Sequence, residues 1–145
     1  MKKIILTLIV LISFTSSSYA QDEKLIKISE NKYQTIYGVK DSLETRNQYA
    51  KMWIIAKYKK GASKIIFQGR FPSMTSHAQQ FAFDCEENKF ISLSLDIYNK
   101  NGVVIYSEGE SKIGNIIPES IGEVLRTVAC YKYDHPEELN NDKSL

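Results

Sequence analysis

Two cysteines, two histidines and a cluster of lysines are the residues of this 145-residue chain whose chemistry could set its function. No GxSxG, HExxH, CxxC, P-loop or GxGxxG spacing occurs. His77 has Ser73, Thr75 and Ser76 close by in sequence, and a hydroxyl beside an imidazole is the raw material of a nucleophile–base pair. Such a pair also needs a third group to orient the base. Residues 69–77, with Pro72 and several hydroxyls, read as a loop, so the expectation is an exposed loop histidine without a catalytic role. His135 lies in a polar C-terminal stretch and is plainer still. Asp84, Glu86 and Glu87 are acidic neighbours, but strand alternation sends them to different faces, as solvated strand-end carboxylates. No close Cys/His spacing offers a ligand set, so neither a metal nor a cofactor is expected, and the chain reads as a non-enzyme.

Lys57, Lys59, Lys60 and Lys64, with Arg70 further on, form the basic cluster. It could meet an anionic surface such as lipopolysaccharide, a heparin-like glycan or an acidic patch on a partner. The plainer reading, which the spacing favours, is a solvated hairpin whose lysines protect a strand edge from mispairing. Trp53 and Ile55 fall opposite Met52 and Ile54 by alternation. They are covered by a loop or the N-terminal segment, or they form a contact patch, self-association included. The candidate partner-contact residues are therefore Trp53, Lys57, Lys59, Lys60 and Lys64.

The start of the chain sets the compartment in which Cys85 and Cys130 react. Lys2 and Lys3 precede an apolar run from Ile4 to Phe14, and Ser18-Tyr19-Ala20 has the small residues of a signal-peptidase site. A membrane span needs about 20 apolar residues, more than this run supplies. Cleavage between Ala20 and Gln21 is expected, with a product that is periplasmic, or secreted or at the cell surface. No cysteine follows the apolar run as a lipid acceptor, so no stable membrane anchor is expected. Loss of Lys2 and Lys3 leaves 17 basic and 17 acidic residues, which argues against nucleic acid as partner. In an oxidising compartment Cys85 and Cys130 are expected to pair, two free thiols or half a metal site being the rival readings. A loop of about 45 residues closed in this way contributes roughly 4 kcal/mol in the chain-entropy model.

The elements that must position these residues follow from periodicity. Residues 21–32 read as a lead-in or a weak edge strand, residues 33–39 as a first strand and residues 41–48 as a loop. Tyr49 to Tyr58 is a strand with Met52, Ile54, Ala56 and Tyr58 on one face. Lys59-Lys60-Gly61 makes a turn, and residues 64–68 are expected to return as a strand. Phe81, Phe83 and Cys85 share a face, and the period of two places Ile91, Leu93, Leu95 and Ile97 together on one face of the next strand. Asn101-Gly102 is expected as a two-residue hairpin turn with both φ angles positive, followed by a strand from Val103 to Ser107. After Pro118 the period changes. Ser120 and Glu123 suggest a capping box, and Ile121, Val124, Leu125 and Val128 form a stripe at helical spacing. Cys130 lies about 180° from that stripe, so the helix is expected to end or distort near Ala129. The fold class is α+β: an antiparallel sheet of five to six strands with one C-terminal helix tethered by the disulfide, over residues 33–131, and a polar tail over 132–145.

From Trp53 to Cys130 the sequence resembles the surface-adhesin protein E family of Gram-negative bacteria. The resemblance rests on Met52-Trp53-Ile54-Ile55, Asp84-Cys85, Tyr98 with Asn101-Gly102-Val103-Val104, Ile117-Pro118-Glu119-Ser120 and Val128-Ala129-Cys130, in that order. It implies the sheet, the C-terminal helix and the disulfide between them. It also implies a binding role toward host extracellular-matrix proteins and a capacity to dimerise. Two departures stand out: no cysteine follows the apolar run, and Ile113-Gly114-Asn115 replaces an expected tryptophan. A non-enzymatic extracytoplasmic binding protein is the function these readings favour. The alternative is a soluble periplasmic accessory or inhibitor protein that docks on an envelope complex.

Overall fold

The computed structural model describes residues 24–135; the expected export segment with its cleavage site, and the tail beyond His135, lie outside them. The first strand, β1 (Leu25–Glu30), is an edge strand against β2 (Gln34–Val39). The sheet continues through β4 (Tyr49–Tyr58), β5 (Met74–Asp84), β6 (Lys89–Asn99) and β7 (Val104–Glu108), in the order β1-β2-β4-β5-β6-β7 with every pair antiparallel. Two short strands complete it: β3 (Glu44–Arg46) on β4, inside the expected loop, and β8 (Gly114–Asn115) on β6. The α+β architecture is therefore as expected, with six main strands, two short ones and a C-terminal helix. Residues 64–68 do not return as a strand. They belong to a short helix, α1 (Ala62–Ile66), closed by Gly69 in the left-handed region with its N–H on the Lys64 carbonyl.

Cross-strand partners share a face, and the register places the core. Ile36 faces Ala56, Met52 faces Phe81, and Phe83 faces Phe90. These side chains with Ile54, Cys85, Leu125, Ala129 and Cys130 form the buried cluster and its margin. The alternation in β6 breaks. A register shift opposite Gln80 and Phe81 leaves Leu93 as an extra residue, so Ser92 and Phe90 join the face of Leu95 and Ile97. Ile91 pairs with Ala82 and is carried to the other side. The four apolar residues expected on one face are thus divided by a β-bulge.

The C-terminal helix, α2 (Ile121–Asp134), opens at Ser120, whose Oγ accepts the Glu123 N–H at 3.4 Å. It runs without interruption through Cys130 and three residues into the stretch expected as tail. The helix does not distort to bring Cys130 inward; a different face points at the sheet. Leu125, Ala129 and Cys130 are buried, whereas Ile121, Val124 and Val128 are about 40% exposed. Gly122, Leu125, Arg126, Ala129, Cys130 and Tyr133 follow one another at helical spacing and form the inner stripe. The Cys85–Cys130 disulfide, with Cα atoms 5.6 Å apart, ties this stripe to the residue that follows β5.

Candidate functional site

His77 is not a loop residue. Strand β5 begins at Met74 and holds His77 opposite Ala56 of β4 and Ile97 of β6, on the core face. Its Nδ1 lies 2.7 Å from the Tyr58 hydroxyl. Burial pushes the imidazole pKa down to about 4 and raises that of the phenol. Ser76 pairs with Lys57 and points to the opposite face, away from the imidazole, and the Thr75 hydroxyl donates to the Tyr98 carbonyl. His135 follows α2, stacked on Tyr131 with ring centroids 4.4 Å apart. Asp84 accepts the backbone N–H groups of Glu86 and Glu87, an ordinary turn role.

The basic residues are sorted differently from the sequence cluster. Lys59, Lys60 and Lys64 line a cleft of about 460 Å³ between the β4–α1 turn, the 72–75 segment and the β6–β7 turn. Two turns build its rim. The Ala62 N–H returns to the Lys59 carbonyl at 2.9 Å with Gly61 at φ 79° and ψ −11°, a type II turn with Lys60 at its second position. Across the cleft, the Gly102 N–H returns to the Asn99 carbonyl at 3.0 Å and Gly102 alone has positive φ. This is a type I turn closed by a glycine bulge, and it corrects the expected turn with two positive φ angles. Lys100 occupies its second position and joins the cleft wall, a residue that linear clustering missed because 36 residues separate it from Lys64.

Lys57 and Trp53 lie elsewhere. Lys57 is on the other side of β4, its ammonium 5.3 Å from the Tyr37 ring centroid. Trp53 is half-buried on the same side, paired with Gln80 of β5. Its backbone N–H donates to Ser42 Oγ at 3.0 Å. The sequence grouping of Trp53, Lys57, Lys59, Lys60 and Lys64 is therefore two surfaces.

Two apolar surfaces were not foreseen as such. A groove of about 270 Å³ runs between the start of α2 and the sheet, lined by Phe81, Phe83, Phe90, Ile117, Ile121 and Leu125 among others. At the far edge of the sheet, Val103, Val104, Ile105 and Tyr106 are 38–55% exposed. Beyond β7 no described strand pairs with that edge. Among the described residues no helix is long and apolar enough to cross a membrane.

No curated protein matches the chain in sequence. Among solved structures it is similar to protein E of Haemophilus influenzae, in its crystal form II. The identity is 15% and the TM-score 0.57, with 77% of this chain and 90% of that one covered. At this identity the likeness is one of fold. The family model for surface-adhesin protein E matches residues 25–131, from the first residue of β1 into α2. With most of its length matched, the chain belongs to the surface-adhesin protein E family.

Proposed function

We propose that this protein is a non-enzymatic, extracytoplasmic binding protein of the adhesin type, and that its partner is a protein of the host matrix or of the bacterial envelope. Cleavage after Ala20 delivers it beyond the inner membrane. The observation that carries this reading is the edge at β7, with which no described strand pairs on its outer side. Edge strands are normally blunted by charge, proline or a covering segment. Here Val103-Val104-Ile105-Tyr106 presents four apolar residues in succession, all exposed, before the first carboxylate at Glu108. An extended segment of a partner adds to such an edge as a further strand, its backbone supplying affinity and its alternate side chains specificity. A second copy of the chain docking through the same edge would give a homodimer. Membership of an adhesin family supports the binding role.

The test is binding of the mature protein to immobilised matrix proteins and to envelope extracts, beside the variant Ile105→Lys. A charge at the centre of the edge should abolish capture while the melting temperature is retained. Unchanged capture by a folded Ile105→Lys protein refutes the edge as the docking surface. Protease shaving of intact cells separates the two partner classes, since only a surface-exposed protein meets the host matrix.

A further inference from the structure

The lysine cleft adjoins the start of the β7 edge at the β6–β7 turn, is lined by different residues and asks for a different ligand. Lys59, Lys60, Lys64 and Lys100 line it, and no carboxylate does. Lys59 is partly neutralised, its ammonium 3.0 Å from Glu30. Lys60, Lys64 and Lys100 make no ion pair among the described residues. The opposite end of the β5–β6 hairpin, roughly 35 Å away at about 3.3 Å per residue, is built otherwise. There Lys89 pairs with Glu87, Arg126 with Asp134, and Tyr133 donates to Glu86. Three cations without an ion pair, Lys60, Lys64 and Lys100, thus share one concavity that holds no carboxylate.

Neutral groups lie between the cations. The Ser73 hydroxyl and the Asn99 amide nitrogen, both in the lining, make no hydrogen bond among the described residues. Asn99 is held with its Oδ1 accepting the backbone N–H groups of Asn101 and Val103, at 2.9 and 3.1 Å, which leaves its amide donor for a ligand. We propose that this cleft is a binding site for a sulfated polysaccharide chain, whose sulfates meet the ammoniums of Lys60, Lys64 and Lys100 and whose hydroxyls meet the neutral groups between them.

Three features select that chemistry. Lysine is a flexible point charge, suited to several dispersed anions and poorly suited to the bidentate clamping of a single phosphate. Single-stranded nucleic acid needs an open aromatic platform. Tyr58, the aromatic residue of the lining, is engaged instead with Phe67 and His77. A lipid surface is flat and calls for apolar side chains beside the cations. The site is concave, and Ile65 and Ile66 of α1 are absent from its lining.

The experiment measures binding of the oxidised mature protein to a size-defined heparin oligosaccharide, with desulfated heparin, inorganic sulfate and anionic phospholipid vesicles in parallel. The triple variant Lys60→Gln/Lys64→Gln/Lys100→Gln is compared with a charge-matched control, Lys24→Gln/Lys112→Gln/Lys132→Gln, which lies outside the cleft. The cleft triple should lose affinity about tenfold or more, and the control about twofold or less, with binding that weakens as salt rises. In the unaltered protein, oligosaccharide should shift the backbone NMR signals of Ser73, Thr75 and Asn101, a readout independent of how the variants fold. Equal losses in the two triples, absent shifts at the cleft, equal binding of desulfated heparin, or binding confined to vesicles or inorganic sulfate would each overturn the proposal. Because the β7 edge is untouched by these substitutions, failure here leaves the protein-partner reading standing, and the reverse also holds.

Discussion

The Tyr58 hydroxyl and His77 Nδ1, 2.7 Å apart, join β4 to β5 on the core face of the sheet. Phe67 packs edge-on to the Tyr58 ring at 5.7 Å and roofs the pair from the α1 side. Acid should therefore be felt first here. Burial holds the folded imidazole pKa at about 4, whereas an unfolded histidine titrates near 6.5. Between those values the unfolded chain binds a proton that the folded chain does not, so stability falls as pH falls through that window. The contribution of this group is complete above about 6.5 and amounts to at most about 3 kcal/mol. His77→Gln should lose stability at neutral pH yet show a flatter profile from pH 6.5 to 4. Urea denaturation of both proteins across that range would measure it, and parallel profiles would sink the assignment.

The direction in which α2 faces makes a sharper contrast. Ala129 is fully buried against the sheet, and Val128 beside it is 41% exposed. Ala129→Leu must force a branched side chain into a filled space, at a cost of about 1–3 kcal/mol. Val128→Lys should stay within about 0.5 kcal/mol, since it removes little buried area. Thermal unfolding of the pair decides the orientation. The reverse ranking would restore the stripe of Ile121, Val124, Leu125 and Val128 as the inner face.

These two cases show what the sequence made legible and where it misled. Strict alternation named β4 correctly, because Met52, Ile54 and Ala56 on one side and Lys51, Trp53 and Ile55 on the other need no tertiary knowledge. Alternation failed at Leu93, where a bulge adds a residue that no local pattern announces. Helical spacing locates α2 but not its inner face. Hydrophobicity alone picks Ile121, Val124 and Val128, while the buried stripe is built from Gly122, Ala129, Cys130 and the stem of Arg126, small or amphipathic residues that permit close approach. Pro72 and the hydroxyls of Ser73, Thr75 and Ser76 favour a loop around His77, yet pairing on both sides with β4 and β6 overrides that preference. The cleft was half legible. Lys59, Lys60 and Lys64 are near in sequence, whereas Lys100 arrives through the fold.

Arg126 anchors α2 by a contact that sequence could not suggest. Its Nη2 donates to the Cys85 carbonyl and its Nη1 to Asp134 Oδ2 at 2.7 Å, while Nε is buried with no acceptor among the described residues. The strand-end carbonyl is the part-buried contact, and the Asp134 pair is nearer to solvent. Arg126→Met, which keeps the stem, should cost about 1–3 kcal/mol by leaving that carbonyl unsatisfied. Asp134→Asn should cost less than about 1 kcal/mol, as for a surface pair. Chemical denaturation of the two variants gives the ranking. An equal cost would mean that the ion pair, and not the bond to Cys85, is what holds the arginine.

The disulfide and Arg126 act on the same junction, and the covalent bond is the stronger of the two. Cys130 is fully buried in the middle of the inner stripe of α2, and its partner Cys85 follows β5, 45 residues earlier. Closing a loop of that size restricts the unfolded chain, and losing a native disulfide from a small domain typically costs about 2–5 kcal/mol, a large share of a typical domain's 5–15. Cys130→Ser also places a hydroxyl in an apolar site beside Leu125 and Ala129, so part of the cost is desolvation. Cys130→Ala separates the two terms, since it breaks the bond without burying the hydroxyl. Both variants should melt at much lower temperature, Ser below Ala. Hydrogen exchange should show α2 losing protection before the β5–β6 hairpin, whose eleven-residue strands are held by their own ladder. If α2 kept its full protection in Cys130→Ala, packing of Leu125 and Ala129 with the Arg126 bond would suffice to dock the helix. The cross-link would then be dispensable for its position.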